Sequence, residues 1–142
     1  MQKHRVTVLV VSDSTGRTAE QLLRSALAQF DSHGCDILIR GGVRGLAQIR
    51  ESLDIAKQRR ALVVHTLVKA DLRNHFLAEA RKRNIDSMDL MGPILDRLTL
   101  HLHRQPREEP GLFRHVREGR SREIEAVEFT FRHDDGQNVN DL

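Results

Sequence analysis

Short runs of β-branched and aliphatic residues alternate along the chain with segments whose apolar residues recur at helical spacing. The runs lie at residues 6–11, 36–39 and 61–66, with a shorter one at 85–90. Each is followed by a helical pattern such as Leu46, Ile49 and Leu53. Strands that alternate with helices through short loops form parallel sheets covered on both faces. The sequence therefore predicts an α/β, Rossmann-like fold with a three- to four-stranded, mostly parallel sheet.

Two of the expected helices carry signals at their first turns. Thr18 and Gln21 have the form of a capping box, in which side chains satisfy amides left free at a helix start. Pro93 suits the first turn of the fourth helix. In the first helix the core-facing residues are expected to be Ala19, Leu22, Leu23, Ala26, Leu27 and Phe30. In the fourth they are expected to be Ile94, Leu95, Leu98 and Leu102.

Regular periodicity ends near residue 103. Residues 104–120 are rich in arginine and contain Pro106, Pro110 and Gly111, which indicates an irregular connecting segment. Apolar residues at Ile124 and further along at helical spacing then indicate a C-terminal helix. The expected organisation is an α/β domain over 1–103, a connection over 104–120, and a helix with a polar tail over 121–142.

Composition limits the classes of protein that this chain can belong to. One cysteine among 142 residues allows no intrachain disulfide, which fits a reducing compartment. No apolar run approaches the roughly 20 residues of a bilayer-spanning helix, so we expect a cytoplasmic protein that does not contact a membrane. The 23 basic residues are interleaved with 20 acidic ones, which argues against a dedicated nucleic-acid binder.

Candidate site residues follow the strands, because ligands of parallel sheets collect beyond the carboxyl ends of the strands. The first strand leads into Ser12, Asp13, Ser14, Thr15 and Gly16, which could hold a phosphate or position a nucleophile or base. The alternative is that they only shape the turn and cap the helix. His65 and Thr66 end the third strand and should open onto the same edge. A lone histidine there can equally be a hydrogen-bonded structural residue.

A second group of candidates lies near the end of the chain. His133, Asp134, Asp135 and Gly136 place an imidazole and two carboxylates beside a glycine turn, a combination able to bind Mg²⁺ or to transfer protons. The alternative is an ordinary helix stop, since aspartate and glycine are common turn residues. Asp13, His65, Asp134 and Asp135 are therefore the candidate catalytic residues. Ser12, Ser14, Thr15, Gly16 and Thr66 are the candidate phosphate- or target-binding residues.

Ordered motifs along nearly the whole chain resemble the regulatory proteins of pyruvate, phosphate dikinase and phosphoenolpyruvate synthase. They are Val10-Val11-Ser12-Asp13-Ser14-Thr15-Gly16, Thr18-Ala19-Glu20, Ala26-Leu27-Ala28-Gln29-Phe30, His65-Thr66-Leu67-Val68, Gly92-Pro93, Pro110-Gly111, Ile124-Glu125-Ala126-Val127-Glu128-Phe129 and His133-Asp134-Asp135-Gly136. The resemblance implies a bifunctional enzyme. Such an enzyme uses ADP to phosphorylate a threonine of its target, and uses inorganic phosphate to remove that group with release of pyrophosphate.

The resemblance also implies a homodimer in the cytoplasm, and a following region that carries a Gly-x-x-x-x-Gly-Lys-Thr phosphate loop. No glycine of this chain is followed by lysine, so that loop is absent from it. ADP and inorganic phosphate would then be bound mainly by the following region, and the chain would be the N-terminal part of the enzyme. The alternative is a truncated, catalytically silent docking or dimerisation module.

Overall fold

The computed structural model describes residues 5–31 and 34–113. Four strands and four helices alternate along the chain. The strands are β1 (Val6–Ser12), β2 (Cys35–Arg40), β3 (Leu62–Thr66) and β4 (Ser87–Asp89). The helices are α1 (Arg17–Leu27), α2 (Leu46–Arg59), α3 (Ala70–Lys82) and α4 (Gly92–Leu102). The predicted α/β class is confirmed, and so is Pro93 in the first turn of α4.

The four strands form one parallel sheet in the order β2-β1-β3-β4. In the register of the two central strands, Val11 lies beside His65 and Ser12 beside Thr66. The chain adds β2 on one side of β1 and then crosses to add β3 on the other side. Such a reversal creates a crevice between the two loops that leave the central strands, and ligands of open α/β sheets bind there.

The core lies on both faces of the sheet because the side chains of β1 alternate between them. Leu9 and Val11 pack on one face with residues of α2 and α3, among them Leu53 and Phe76. Val8 and Val10 point to the other face, where buried Ala19 of α1 joins them. A strand buried on both faces reads as a continuous apolar run, as residues 6–11 do.

Several apolar side chains expected in the core are exposed instead. In α4, Ile94 is 57% exposed, Leu98 47% and Leu102 60%, and burial in this helix is confined to Gly92. In α1, Leu22 is 55% exposed, and Phe30, just beyond the helix, is 65% exposed. The expectation that these residues face inward is therefore wrong for the part of the chain that the structure describes. The spacing correctly indicated helices but could not show what covers them.

The expected capping box at Thr18 and Gln21 is also wrong. Gly16, in the left-handed region at φ 82°, is the N-cap of α1 and offers no side chain, and the amide of Arg17 donates to Thr15 Oγ1 instead. One half of such a box occurs at α2, where Gln48 Oε1 accepts hydrogen bonds from the amides of Arg44 and Gly45. Glycine can start a helix through its backbone, so a search for hydroxyl caps overlooks it.

The chain divides into two units, Met1–Pro110 and Gly111–Leu142. Only residues 111–113 of the second unit are described. Residues 104–109 have no regular secondary structure, in keeping with the expected irregular segment. The expected boundaries at residues 103 and 120 stay a prediction, and the helix and polar tail expected over 121–142 lie outside the described residues.

Candidate active site

Three loops meet at the carboxyl edge of the sheet. They are the β1 loop (residues 13–16), the β2 loop (41–45) and the β3 loop (67–69). The amide of Gly42 donates to the carbonyl of Ser14 at 2.9 Å, and the amide of Val43 donates to the carbonyl of Ser12 at 2.9 Å. These bonds hold the β2 loop against the β1 loop. A Cβ atom at Gly41 would lie 2.6 Å from the Ser14 oxygen, so this approach requires glycine.

Asp13 is the buried carboxylate of the crevice. Its Oδ2 accepts a hydrogen bond from the Val68 amide at 2.8 Å, which joins the β1 loop to the β3 loop. Its carbonyl accepts a hydrogen bond from Arg44 Nε at 2.8 Å. Burial raises the pKa of the Asp13 carboxyl, against the opposing effects of the Val68 hydrogen bond and the charges of Arg44 and Lys69. A raised pKa makes a carboxylate a better proton acceptor near neutral pH.

The hydroxyl groups of the β1 segment make local hydrogen bonds. Ser12 Oγ accepts from the Ser14 amide at 3.0 Å, and Thr15 Oγ1 accepts from the Arg17 amide at 3.3 Å. Ser12 is buried, Ser14 is half-buried and Thr15 is exposed. These contacts shape the turn, as the structural alternative expected. A hydroxyl that accepts a hydrogen bond can still donate one, so phosphate or target binding by these residues stays a prediction.

His65 and Thr66 reach the same edge, and both are buried. The His65 ring lies 4.6 Å from the Phe76 ring, on the face of the sheet covered by α3. Neither ring nitrogen has a hydrogen-bond partner among the described residues. Burial lowers the pKa of His65 to about 4, opposed by the nearby Asp89 carboxylate and aided by Arg73. The ring is therefore neutral at pH 7, and its catalytic role stays a prediction.

Arg44, Arg73 and Asp89 belong to the site although the sequence analysis did not select them. Asp89 ends β4, and its Oδ1 lies 3.9 Å from His65 Nδ1. Arg73 is a buried residue of α3 whose guanidinium reaches the β3 loop. A signal for Asp89 was present, because an acidic residue stands between a short strand and Gly92-Pro93 at a helix start. Arg44 and Arg73 carry no such signal among so many arginines.

The candidates near the chain end lie outside the described residues. They are His133, Asp134 and Asp135. Within residues 5–31 and 34–113 no three histidine, cysteine, aspartate or glutamate residues are grouped so as to hold a metal ion. None of the described helices is long and apolar enough to cross a membrane.

Comparison with known proteins assigns this chain to a family. A family model described as kinase/pyrophosphorylase matches residues 8–142. The chain belongs to the kinase/pyrophosphorylase family. The expected resemblance is thereby confirmed, and the residues of all three loops fall within the matched range.

Two curated relatives of this family are similar over nearly all of the chain. A protein of Alkaliphilus metalliredigens (strain QYMF), provisionally named pyruvate, phosphate dikinase regulatory protein, is 36% identical over 142 residues, which is 100% of this chain and 51% of that protein. A protein of Shouchella clausii (strain KSM-K16) with the same provisional name is 35% identical over 133 residues, 94% of this chain and 49% of that protein. The chain spans about half the length of the relatives it matches.

Proposed function

We propose that the chain is the N-terminal part of a bifunctional enzyme that regulates pyruvate, phosphate dikinase or phosphoenolpyruvate synthase. The enzyme is an ADP-dependent serine/threonine protein kinase and a phosphate-dependent, pyrophosphate-forming phosphorylase. Membership of the kinase/pyrophosphorylase family supports this proposal, as do the names of the two relatives. The observation that carries it is the buried Asp13 carboxylate at the crevice between β1 and β3.

Asp13 is proposed as the group that moves the proton. In the kinase direction it accepts the proton of the target threonine hydroxyl while the threonine oxygen attacks the β-phosphorus of ADP and the bond to AMP breaks. In the phosphorylase direction an oxygen of inorganic phosphate attacks the phosphorus of phosphothreonine. The bond from that phosphorus to the threonine oxygen breaks, and Asp13 returns the proton to this oxygen. The raised pKa of Asp13 suits both roles.

Arg44 and Lys69 are proposed to neutralise the phosphoryl group. Both are exposed, and both exert their charge on Asp13 from different loops. Phosphoryl transfer depends mainly on positioning and on positive charge near the phosphoryl oxygens. Ser14 and Thr15 of the β1 loop add hydroxyl groups to the edge of the crevice. Because no glycine precedes a lysine in this chain, the phosphates of ADP would be held mainly by the other half of the enzyme.

The remaining parts of the proposal rest on the family alone. We place the enzyme in the cytoplasm as a homodimer. Asp134 and Asp135 are proposed to face the nucleotide and to bind Mg²⁺ there, since two adjacent carboxylates suit this ion. His65 is proposed as a further catalytic residue, in the form of a neutral imidazole because burial lowers its pKa.

The experiment incubates the full-length protein with ADP and with each target enzyme, and measures threonine phosphorylation and its reversal by inorganic phosphate. Asp13→Asn should lower kcat about 100-fold or more in both directions, because general acid-base catalysis contributes that much. Asp86→Asn is the matched control, since Asp86 is exposed and immediately precedes β4, at the opposite edge of the sheet. Full activity of the Asp13→Asn variant would contradict the proposal.

The second candidate is a catalytically silent docking or dimerisation module. The observation in its favour is the exposed apolar stripe of α4 at Ile94, Leu98 and Leu102, which are four residues apart. Such faces often bind another protein surface. A full-length protein that binds its target or itself through this stripe, without phosphorylating any threonine, would favour this function. Leu98→Glu should then abolish binding, with the already exposed Arg97→Glu as control.

A further inference from the structure

Arg73 and Asp89 form a mostly buried ion pair beside the β3 loop. Arg73 Nε lies 3.7 Å from Asp89 Oδ2, and the two side chains are 10% and 14% exposed. Burying two charges costs more free energy than their attraction returns unless further hydrogen bonds satisfy them. Both partners have such bonds, which lead to the β3 loop from Arg73 and to the start of α4 from Asp89.

The bonds from Arg73 hold the carbonyl side of the β3 loop. Its Nη1 donates to the carbonyl of Val68 at 2.9 Å and to that of Leu67 at 3.2 Å. The amide of Val68 donates in the other direction, to Asp13 Oδ2 at 2.8 Å. Val68 is therefore held from both sides. The position of its amide, which orients the Asp13 carboxylate, depends on where Arg73 lies.

The bonds to Asp89 fix the other end of the pair. Asp89 Oδ1 accepts from the amides of Met91 at 3.0 Å and of Gly92 at 2.8 Å. A Cβ atom at residue 92 would lie within 2.2 Å of Asp89 Oδ2 and 2.9 Å from Arg73 Nε. Glycine at this position thus leaves the space that the pair occupies. The pair is held in one arrangement by backbone groups on both sides.

We infer that Arg73 and Asp89 are positioning residues, which hold the β3 loop so that the Val68 amide fixes the direction of the Asp13 carboxylate. They act through Val68 and have no contact with Asp13 among the hydrogen bonds and ion pairs of the described residues. The inference rests on the proposed function only in the role given to Asp13. Whether Arg73 and Asp89 fix the β3 loop is tested separately from activity.

The first test is an NMR titration of the full 142-residue chain. A carboxylate that accepts a hydrogen bond shifts the resonance of the donating amide proton as it titrates, so the chemical shift of the Val68 amide proton reports on the protonation of Asp13 as the pH is lowered. Arg73→Lys and Asp89→Asn should remove most of this shift and speed hydrogen exchange at Val68 about tenfold. Lysine keeps the charge but lacks the planar fork that reaches the loop and Asp89 together. Arg81→Lys, exposed on the same helix, should change neither quantity.

A purely structural role gives a different result. Suppose that both variants lowered the melting temperature while the pH-dependent shift of the Val68 amide resonance and the hydrogen-exchange rate of that amide stayed unchanged. That result would show the inference to be wrong. Should Arg73→Lys fail to fold, Asp89→Asn still decides the question, because its side-chain oxygen can keep the bonds from the amides of Met91 and Gly92.

The second test measures kinase activity in the full-length protein. Arg73→Lys and Asp89→Asn should lower kcat about tenfold or more and leave KM for the target enzyme unchanged, since misplacing a reacting group affects the chemical step. The positioning role would be overturned by a variant whose kcat is unchanged although its Val68 amide resonance no longer shifts with pH. If the wild-type protein phosphorylated no target, the proposed function would fail while the NMR result would still judge the hold on the β3 loop.

Discussion

At the scale of single residues, position 92 has no room for a side chain. A Cβ atom there would lie within 2.2 Å of the Asp89 carboxylate, which two backbone amides hold in place. Gly92→Ala should therefore lower the free energy of unfolding by about 2 to 3 kcal/mol, because the carboxylate, the arginine or the start of α4 must move. Urea-induced unfolding measures the change.

The matched control for that substitution is Gly45→Ala. Gly45 has an extended backbone with φ −151°, and a Cβ atom there would meet no described heavy atom within 4 Å. The control should cost less than about 1 kcal/mol, the usual range for a weaker helix cap. If the free energy of unfolding fell equally in Gly92→Ala and Gly45→Ala, the Asp89 carboxylate would be shown to move aside without loss of stability.

The residues of the site differ in how far the sequence could predict them. Asp13 and His65 were expected at one edge because Asp13 follows one strand of a parallel sheet and His65 lies at the end of another, and the structure brings both there. Arg73 and Asp89 were missed because their contact depends on the register between β3 and β4 and on how α3 crosses the sheet. No local pattern encodes the distance between them.

At the scale of elements, the start of α2 depends on one glutamine. Gln48 Oε1 accepts hydrogen bonds from the amides of Arg44 and Gly45, and Gln48 Nε2 donates to the carbonyl of Gly42. Gln48→Ala should lower the free energy of unfolding by about 1 kcal/mol, the usual effect of losing a cap. It should also loosen the β2 loop, which amide hydrogen exchange at Gly42 measures, because that loop loses its bond to α2.

A second glutamine of the same helix provides the comparison. Gln58 is exposed near the end of α2, so Gln58→Ala should change stability by no more than about 0.5 kcal/mol. Faster exchange at Gly42 in both variants would show that the loop responds to helix stability in general and not to the cap.

Helix positions were predicted better than helix environments. The spacing of Leu46, Ile49 and Leu53 placed α2 correctly because those apolar residues recur with the helical period. The stripe on α4 has the same period, yet Leu98 is exposed. Periodicity records which side of a helix is apolar, and it carries no information on whether another element covers that side.

At the scale of the whole molecule, the order β2-β1-β3-β4 places the crevice. Alternation of strands and helices predicted a parallel sheet, but several strand orders satisfy the same alternation. In the observed order β1 and β3 are neighbours whose loops lead in different directions. The class of fold was therefore predictable from composition and period, whereas the position of the crevice needed the contacts between distant strands.

The buried His65 should make the stability of the molecule depend on pH. The pKa of this histidine is 6.5 in the unfolded chain, whereas burial lowers its pKa to about 4 in the folded chain. The unfolded state thus holds more protons between these values, and the free energy of unfolding falls as the pH drops through this range. We expect a loss of about 2 kcal/mol between pH 7 and about pH 4.5 from this residue, measured by urea unfolding at each pH.

His65→Gln provides the reference, because a buried amide does not titrate in this range. Asp13, whose pKa burial raises, acts with the opposite sign, and the difference between wild type and variant removes its contribution. The wild type should lose its advantage in free energy of unfolding over the His65→Gln variant as the pH falls. An identical slope in both would mean that His65 is protonated as readily in the folded chain as in the unfolded one.

The hydrogen bond from Val68 to Asp13 joins residues that lie 55 positions apart. During synthesis, the ribosome completes β1, α1, β2 and α2 before it adds the residue that orients the carboxylate. Contacts of such long sequence separation form late and together with the pairing of their strands. An emerging chain therefore holds the Asp13 carboxylate without its orientation until β3 has joined the sheet.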